Sequence, residues 1–146
     1  MSEERPKSVL FVCNQNAIRS PMAAACLQHL AKGRMFVSSA GLITGLADSF
    51  TKTVLDEKNI RLGDHQPKSL NRIDASEFSL IIALTNKSHE RLISDGLDDQ
   101  TTVEFWDVTD PTQIEGRRDQ VLDSYRIVRD DLNRRVHERF AYLLPG

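Results

Sequence analysis

A short apolar run near the start of the chain constrains the fold more than any other segment. Residues 8–12 read Ser-Val-Leu-Phe-Val, a continuous stretch rich in β-branched and aromatic side chains, which is typical of a strand buried on both faces. A polar loop follows, and then a helix-like segment from Pro21 to Ala31 with proline at the predicted first helical position. A strand buried on both faces needs cover on both sides of its sheet, so this unit predicts a parallel α/β fold.

The rest of the chain continues the alternation of strands and helices. Three further strands are predicted at residues 36–40, 78–84 and 101–106. Three further helices are predicted at residues 50–59, 86–93 and about 118–143, the last from apolar residues that recur every three or four positions. Strands separated by helices imply right-handed crossovers. The predicted architecture is a three-layer α/β/α sandwich around a central four-stranded parallel sheet.

Length and charge limit the number of domains and the kinds of partner. The chain has 146 residues and 40% hydrophobic content, enough for one full core, and it shows no repeat or linker-like stretch. We therefore expect one domain over residues 1–146. The 19 basic and 21 acidic residues leave a formal net charge of -2, so no overall field attracts nucleic acid or anionic lipid. Any anion-binding site must be local.

The chain also lacks the signals of export and membrane insertion. No run approaches the roughly 18 consecutive apolar residues of a membrane span, and the first residues lack the apolar core of a signal peptide. The two cysteines, Cys13 and Cys26, are too few for a secreted disulfide framework, so at least one thiol is expected to be free. We expect a cytoplasmic monomer or weak dimer with no nucleic-acid or membrane partner.

The loop after the first strand carries the clearest chemistry. It reads Cys13-Asn-Gln-Asn-Ala-Ile-Arg19-Ser20, between a buried strand and a helix start. The N–H groups of a tight loop at a helix N-terminus bind a tetrahedral dianion, and Arg19 can grip two of its oxygens. These positive surroundings favour the thiolate of Cys13, which is a nucleophile when it lies under a bound phosphate. Ser20 is close enough along the loop to hydrogen-bond the sulfur.

The same loop also has a purely structural interpretation. Cys13 would then be a small buried residue at a strand end, and Arg19 would cap a helix. The order of strand, polar loop, Arg-Ser-Pro and helix favours the chemical interpretation. The four histidines form no metal-like cluster, and no metal or organic cofactor is implied.

These residues closely resemble the phosphate-binding loop of the low-molecular-weight protein-tyrosine phosphatases. The matching segments follow the family's order over most of the chain: residues 9–13, Asn16, residues 19–23, residues 38–41, His65, residues 68–70 and Asp110-Pro111. The resemblance implies a phosphomonoester hydrolase of the protein-tyrosine-phosphatase type that works through a phosphocysteine intermediate on Cys13.

The resemblance also implies roles for individual residues. Asp110 takes the place of the aspartate that protonates the leaving oxygen and then activates water. Asp107 is the alternative acid, but it lacks the proline that follows the family's aspartate. An asparagine at the position of Asn16 adopts a left-handed backbone, supported by a serine and a histidine that match Ser39 and His65. The residues expected to form the phosphate-binding loop beside Cys13 and Arg19 are Asn14, Gln15, Asn16, Ala17, Ile18 and Ser20.

Purely structural roles remain open for two of these residues. An Asp-Pro pair such as Asp110-Pro111 commonly forms a turn, and His65 could be an ordinary surface-loop histidine. Departures from the family pattern also bear on the substrate. Gln15 replaces the usual glycine, Ile18 replaces a cysteine found in many members, and residues 112–115 replace two tyrosines that often follow the Asp-Pro pair. The sequence therefore predicts phosphate-ester hydrolysis on a phosphorylated protein or a small phosphomonoester, with phosphotyrosine disfavoured.

Two other functions compete with hydrolysis. Arsenate resembles phosphate, and related arsenate reductases use the same Cys-x5-Arg loop. Thioredoxin-coupled reductases need two further cysteines, and the chain has none after Cys26, so only reduction with an external thiol remains. The intact Cys13, Arg19 and Asp110 argue against a catalytically silent phosphate-binding module. Substrate choice is expected to depend on the rim residues Leu42, Ile43, Leu46 and Thr112.

Overall fold

Four parallel strands form one sheet with helices on both faces. The computed structural model describes residues 5–144. The strands are β1 (Ser8–Cys13), β2 (Phe36–Gly41), β3 (Leu80–Ala83) and β4 (Thr102–Phe105), in the order β2-β1-β3-β4. The helices are α1 (Arg19–Ala31), α2 (Ser49–Asp56), α3 (Asn86–Ser94) and α4 (Arg118–Arg139). The predicted α/β fold with a four-stranded parallel sheet is confirmed.

The central position of β1 in the sheet explains why the strand is apolar after Ser8. Its side chains alternate between two cores, because successive residues of a strand point to opposite faces. Val9 and Phe11 pack with residues of α1, α2 and α4, whereas Leu10 and Val12 pack with Leu92 of α3 and its neighbours. All four of these strand residues are fully buried.

The strand register brings the loops that follow the strands to one edge of the sheet. Cys13 at the end of β1 pairs with Gly41 at the end of β2, and Val12 pairs with Ala83 at the end of β3. The end of β4 lies beside that of β3, with Ala83 opposite Phe105. The carboxyl edge of a parallel sheet is where such folds bind ligands.

Several element boundaries differ from the sequence predictions. Helix α1 begins at Arg19, so Pro21 is its third residue; proline fits there because first-turn N–H groups have no intrahelical partner. Helix α2 ends at Asp56, three residues before the predicted end at residue 59. Asn59 has a left-handed φ of 57°, which is not helical. Helix α4 ends at Arg139, and the last predicted turn is a 3₁₀ helix, Ala141–Leu143. No helix within residues 5–144 has the length and apolarity to cross a membrane.

Candidate active site

The loop that connects β1 to α1, here called the phosphate loop (residues 13–20), forms a cradle of unused N–H groups. Cys13 at its start is only 3% exposed. Within the described part of the chain, no backbone N–H group from Gln15 to Arg19 donates to a backbone carbonyl. Ile18, the N-cap residue of α1, adds no side-chain cap. N–H groups left free at a helix N-terminus are ready to bind an anion.

Ser20 lies directly against the Cys13 sulfur. Its Oγ is 2.9 Å from Sγ, and the same Oγ accepts a hydrogen bond of 2.9 Å from the side-chain amide of Asn16. Because Oγ accepts from Asn16, its own proton is available for Sγ or for the Ala40 carbonyl at 3.3 Å. A hydroxyl proton directed at the sulfur stabilises a thiolate.

Asn16 fixes the shape of the phosphate loop from behind. It is fully buried and has a left-handed φ of 56°. Its Nδ2 donates to Ser20 and Ser39, each at 2.9 Å, and its Oδ1 accepts the Lys68 N–H at 2.9 Å. His65 Nε2 lies 2.9 Å from its carbonyl oxygen. A buried network in which the side-chain amide and the carbonyl of one residue all have partners holds one backbone conformation.

The electrostatics of His65 suit this contact. Burial lowers the pKa of the ring and the Lys68 charge lowers it further, against the opposing effect of the hydrogen bond to Asn16. Since the Asn16 carbonyl can only accept, the neutral ring must carry its proton on Nε2. The structure thus brings Ser39 and His65 together around Asn16.

A second loop, residues 42–46 after β2, is bonded along the phosphate loop and is here called the rim loop. The N–H groups of Leu42, Ile43 and Gly45 donate to the carbonyls of Cys13, Asn14 and Gln15 at 3.0, 3.0 and 2.9 Å. A Cβ added to Gly41 would lie 2.7 Å from the Asn16 nitrogen, and one on Gly45 would lie 2.6 Å from the Gln15 Cβ. Glycine is needed at both positions because the two loops approach so closely. Sequence reasoning noted Gly41 in the family match but missed Gly45.

Helix α3 also contacts the phosphate loop, through a residue that sequence reasoning missed. Thr85, its N-cap, donates its hydroxyl to Asn14 Oδ1 at 2.8 Å. Thr85 and Ser88 form a capping box, and Ser88 Oγ lies 3.2 Å from the Val12 carbonyl. The available signal was a threonine three residues before a serine, just past the end of β3.

Arg19 connects the phosphate loop to the acid loop, which is defined as residues 106–114. Its NH1 donates to the Val108 carbonyl at 3.1 Å, and its NH2 lies 4.0 Å from Asp110 Oδ2. The Arg19 side chain is 13% exposed and that of Asp110 is 32% exposed. Arg19 is therefore placed to hold a bound phosphate and the carboxyl together.

Asp110 is held by its own turn. Its Oδ1 accepts the N–H and the hydroxyl of Thr112, at 2.9 and 2.7 Å, as the N-cap of a 3₁₀ turn. Partial burial acts to raise the pKa of the carboxyl, but the Thr112 bonds, the Arg19 charge and the Gln113 amide outweigh it, so the pKa is lowered. With no anion bound, Asp110 is a carboxylate near neutral pH.

These groups enclose one cavity of about 110 Å³. It is lined by Cys13, Asn14, Gln15, Ala17, Ile18, Arg19, Asp110 and Thr112. The alternative acid Asp107 is not among them; it is exposed, and its carbonyl accepts a bond from Arg135. Cys26 is fully buried in α1, where burial raises its pKa to about 12.

The arrangement can support nucleophilic displacement at a tetrahedral anion. The cavity combines a buried thiol, a cradle of N–H groups, a guanidinium and a carboxyl at the rim. Within residues 5–144, no group of three or more His, Cys, Asp or Glu side chains is placed to hold a metal ion.

Comparison with known proteins finds a matching family and similar phosphatases and reductases. A family model described as low molecular weight phosphotyrosine protein phosphatase matches residues 8–143. The glutaredoxin arsenate reductase of Synechocystis sp. is 26% identical over 139 residues, 92% of this chain and 97% of that protein. The protein-arginine-phosphatase of Geobacillus stearothermophilus is 32% identical over 91 residues, 60% of this chain and 61% of that protein.

A solved structure of the YwlE arginine phosphatase shares the fold. That structure is a Cys-to-Ser mutant with a phosphorylated active site serine. It is 26% identical to this chain, has a TM-score of 0.77, and the match covers 93% of this chain and 95% of that one.

Proposed function

Because the chain belongs to the low molecular weight phosphotyrosine protein phosphatase family, we propose that it hydrolyses phosphomonoesters through a phosphocysteine intermediate on Cys13. The observation that carries the proposal is the position of the Cys13 sulfur, 2.9 Å from the Ser20 hydroxyl at the base of the N–H cradle. The phosphorylated active site serine in the Cys-to-Ser mutant of the related arginine phosphatase supports a covalent intermediate.

In the first step the phosphate dianion binds to the loop N–H groups and to Arg19. The Cys13 thiolate attacks phosphorus, a sulfur–phosphorus bond forms, and the bond from phosphorus to the leaving oxygen breaks. The leaving oxygen needs a proton, which Asp110 supplies. The bound dianion raises the pKa of this carboxyl, because a nearby negative charge disfavours the carboxylate.

In the second step water releases the phosphate. Asp110, now a carboxylate, accepts a proton from the water that attacks phosphorus. The sulfur–phosphorus bond breaks and the electron pair returns to Cys13, whose thiolate accepts the hydroxyl proton of Ser20 as a hydrogen bond. All the groups invoked belong to one chain, so the proposal requires no second subunit and is compatible with a monomer or weak dimer. A catalytic free thiol also suits the reducing cytoplasm.

Arsenate reduction is the second candidate, favoured by the likeness to a glutaredoxin arsenate reductase over nearly the whole chain. Cys13 would attack arsenic in place of phosphorus, so that a sulfur–arsenic bond forms and one arsenate oxygen leaves as water. An external thiol would then attack the Cys13 sulfur and break the sulfur–arsenic bond, which releases arsenite as the two-electron-reduced product and leaves a mixed disulfide. A second external thiol would reduce that disulfide. The only other cysteine, Cys26, is fully buried, so the chain supplies no exposed thiol for this role.

Two assays on the purified protein test these functions together. We expect hydrolysis of p-nitrophenyl phosphate, and we expect it to exceed arsenate reduction with a small thiol as the reductant. The Cys13→Ser variant should lose at least about 10³-fold in turnover while vanadate still binds, because a hydroxyl is a much weaker nucleophile and the N–H cradle remains. Cys26→Ser is the matched control. Wild-type turnover in Cys13→Ser would exclude the phosphocysteine mechanism.

A further inference from the structure

Asn14 lies next to Cys13 in the wall of the catalytic cavity, and its position is fixed from two sides. Its carbonyl accepts the Ile43 N–H at 3.0 Å, which anchors its backbone to the rim loop. Its side-chain Oδ1 accepts the Thr85 hydroxyl at 2.8 Å, which anchors its amide to the start of α3. A group held in this way is preorganised for contact with a ligand.

The bond to Thr85 also determines which end of the amide stays free. Thr85 Oγ1 already accepts the backbone N–H of Ser88 at 3.0 Å, so its own proton is the one to donate. Two acceptors lie 2.8 Å from Thr85 Oγ1, namely Asn14 Oδ1 and Ser88 Oγ. Ser88 Oγ already accepts the Thr85 N–H at 3.2 Å, which favours Asn14 Oδ1 as the acceptor of the hydroxyl proton. Within the described part of the chain, Asn14 Nδ2 donates no hydrogen bond, so this half-buried residue of the cavity wall has an uncommitted N–H donor.

The other residues that line the cavity also favour a polar leaving group. None of the described residues that line the cavity has an aromatic ring, so a phenyl ring would find no flat surface to stack on. Gln15 and Thr112 add another amide and a hydroxyl to the lining. An apolar leaving group against Asn14 would remove water from Nδ2 without replacing its hydrogen bond, which costs binding energy.

We propose that Asn14 is a specificity-determining residue that selects phosphomonoesters whose alcohol carries a hydroxyl on the carbon adjacent to the ester carbon, as in polyol phosphates. Its Nδ2–H donates to the oxygen of that hydroxyl while the phosphate occupies the cradle above Cys13. This inference rests on the proposed phosphatase function and names the substrate class for the same site.

Gln15 is the competing residue, because its amide also lines the cavity. Its side chain is exposed and lies against Gly45, whose added Cβ would be 3.0 Å from Gln15 Oε1. Among the residues that the structure describes, none hydrogen-bonds to this side chain in the way that Thr85 does to Asn14. A flexible exposed amide contributes less to discrimination, since ordering it on binding costs entropy.

A pair of isosteric substrates tests the proposal. Glycerol 2-phosphate and pentan-3-yl phosphate have similar size and shape, but the first has hydroxyls where the second has methyl groups. Calorimetry on a Cys13→Ala background, which has no nucleophile at this position, gives the ratio of their dissociation constants without turnover. Comparing this ratio between variants cancels the intrinsic difference between the two compounds.

Adding Asn14→Leu should shift the ratio about tenfold toward the apolar ester, the value of one good hydrogen bond. Thr85→Val should give a smaller shift in the same direction, because the amide is no longer oriented, and Thr85→Ser should restore the original ratio. Asn133→Leu on α4 is the matched control and should change nothing.

An unchanged ratio in Asn14→Leu would overturn the proposal, and so would an equal shift in Gln15→Leu. These outcomes are separate from failure of the proposed function, which would appear as absence of p-nitrophenyl phosphate hydrolysis by the wild-type protein.

Discussion

The phosphate loop and the acid loop meet at the same cavity, but they are held in different ways. The phosphate loop is bonded to residues distant in sequence: Asn16 contacts Ser39, His65 and Lys68, and Asn14 contacts Thr85. By contrast, the Asp110 side chain hydrogen-bonds, among residues 5–144, only to Thr112 and Gln113 within its own turn.

The acid loop has fewer contacts outside itself. Five hydrogen bonds connect its backbone to the rest of the described molecule. Arg19 and Leu84 bond to Val108, and Ser124 bonds to Pro111. Ala83 bonds to Trp106, and Arg135 bonds to Asp107. The cradle is therefore preorganised by the fold, whereas the carboxyl is placed by local turn chemistry. We expect changes near the cradle to affect anion binding and rate together, and changes to Asp110 to affect proton transfer alone.

The largest expected effect on turnover comes from replacing the Asp110 carboxyl, which supplies the proton to the leaving group. Asp110→Asn keeps a side-chain acceptor for the turn but cannot donate an acidic proton. Turnover of an alkyl phosphate should fall by roughly 10² to 10⁴, and turnover of p-nitrophenyl phosphate should fall much less, because its leaving group needs little protonation. Steady-state kinetics on both substrates, with phosphorylation rate-limiting, measure the difference.

The vanadate inhibition constant of Asp110→Asn should stay close to that of the wild type. Asp107→Asn is the control. Equal losses on the two substrates would indicate a structural role for Asp110, and a larger effect in Asp107→Asn would move the acid assignment to that residue.

Removal of a residue that supports the cradle should have a smaller effect on rate, but it should weaken anion binding as well. Asn16→Ala removes the amide that contacts Ser20, Ser39 and Lys68, so the loop N–H groups lose their fixed direction. We expect kcat/KM on p-nitrophenyl phosphate to fall by about 10²-fold, the usual cost of a small misplacement, together with weaker vanadate inhibition.

Asn59→Ala provides a matched control for this change. Asn59 has nearly the same left-handed φ, 57°, but it is exposed and lies away from the cavity. Both variants place alanine in a left-handed conformation at similar backbone cost. If they lose activity equally, backbone strain and not the buried network explains the result.

The smallest expected effect concerns pH and His65. The pKa of this ring is lowered in the folded protein, so the unfolded chain takes up the proton first as the pH falls. The stability linked to His65 is complete above the unfolded pKa of about 6.5 and is lost as the pH falls below it. Urea midpoints at pH 7.5 and 5.5 should differ less in His65→Gln, whose amide can still donate to Asn16, than in the wild type.

His29→Gln changes an exposed histidine outside the site and should keep the wild-type pH dependence. An undiminished pH dependence in His65→Gln would show that this ring does not couple protonation to folding.

What the sequence predicted depends on how far apart the interacting residues lie. The fold was predicted because the apolar run at residues 8–12, which covers most of β1, indicates burial on both faces. Cys13 and Arg19 were identified because they belong to one contiguous motif. Thr85 was missed because its contact with Asn14 joins residues 71 positions apart, and no local pattern reports such a contact.

The start of α1 and the role of Gly45 were also not predicted correctly, because local sequence patterns do not report them. Pro21 was taken as the first helical residue, but α1 begins at Arg19, where the free end of the helix completes the anion cradle. Gly45 was missed because a glycine in a loop gives no sign of whether it serves a turn or a close contact. The close approach of the Gln15 side chain and carbonyl to Gly45 shows the requirement in the structure.

The account depends most on phosphate transfer to the Cys13 sulfur. Rapid mixing of the wild-type protein with p-nitrophenyl phosphate, followed by a denaturing quench and peptide mass spectrometry, tests this directly. We predict one phosphoryl group on the peptide that contains Cys13 and none on the peptide that contains Cys26, with the modified fraction rising to a plateau on the timescale of p-nitrophenol release. Phosphate released with no modified Cys13 peptide at any mixing time would contradict the account.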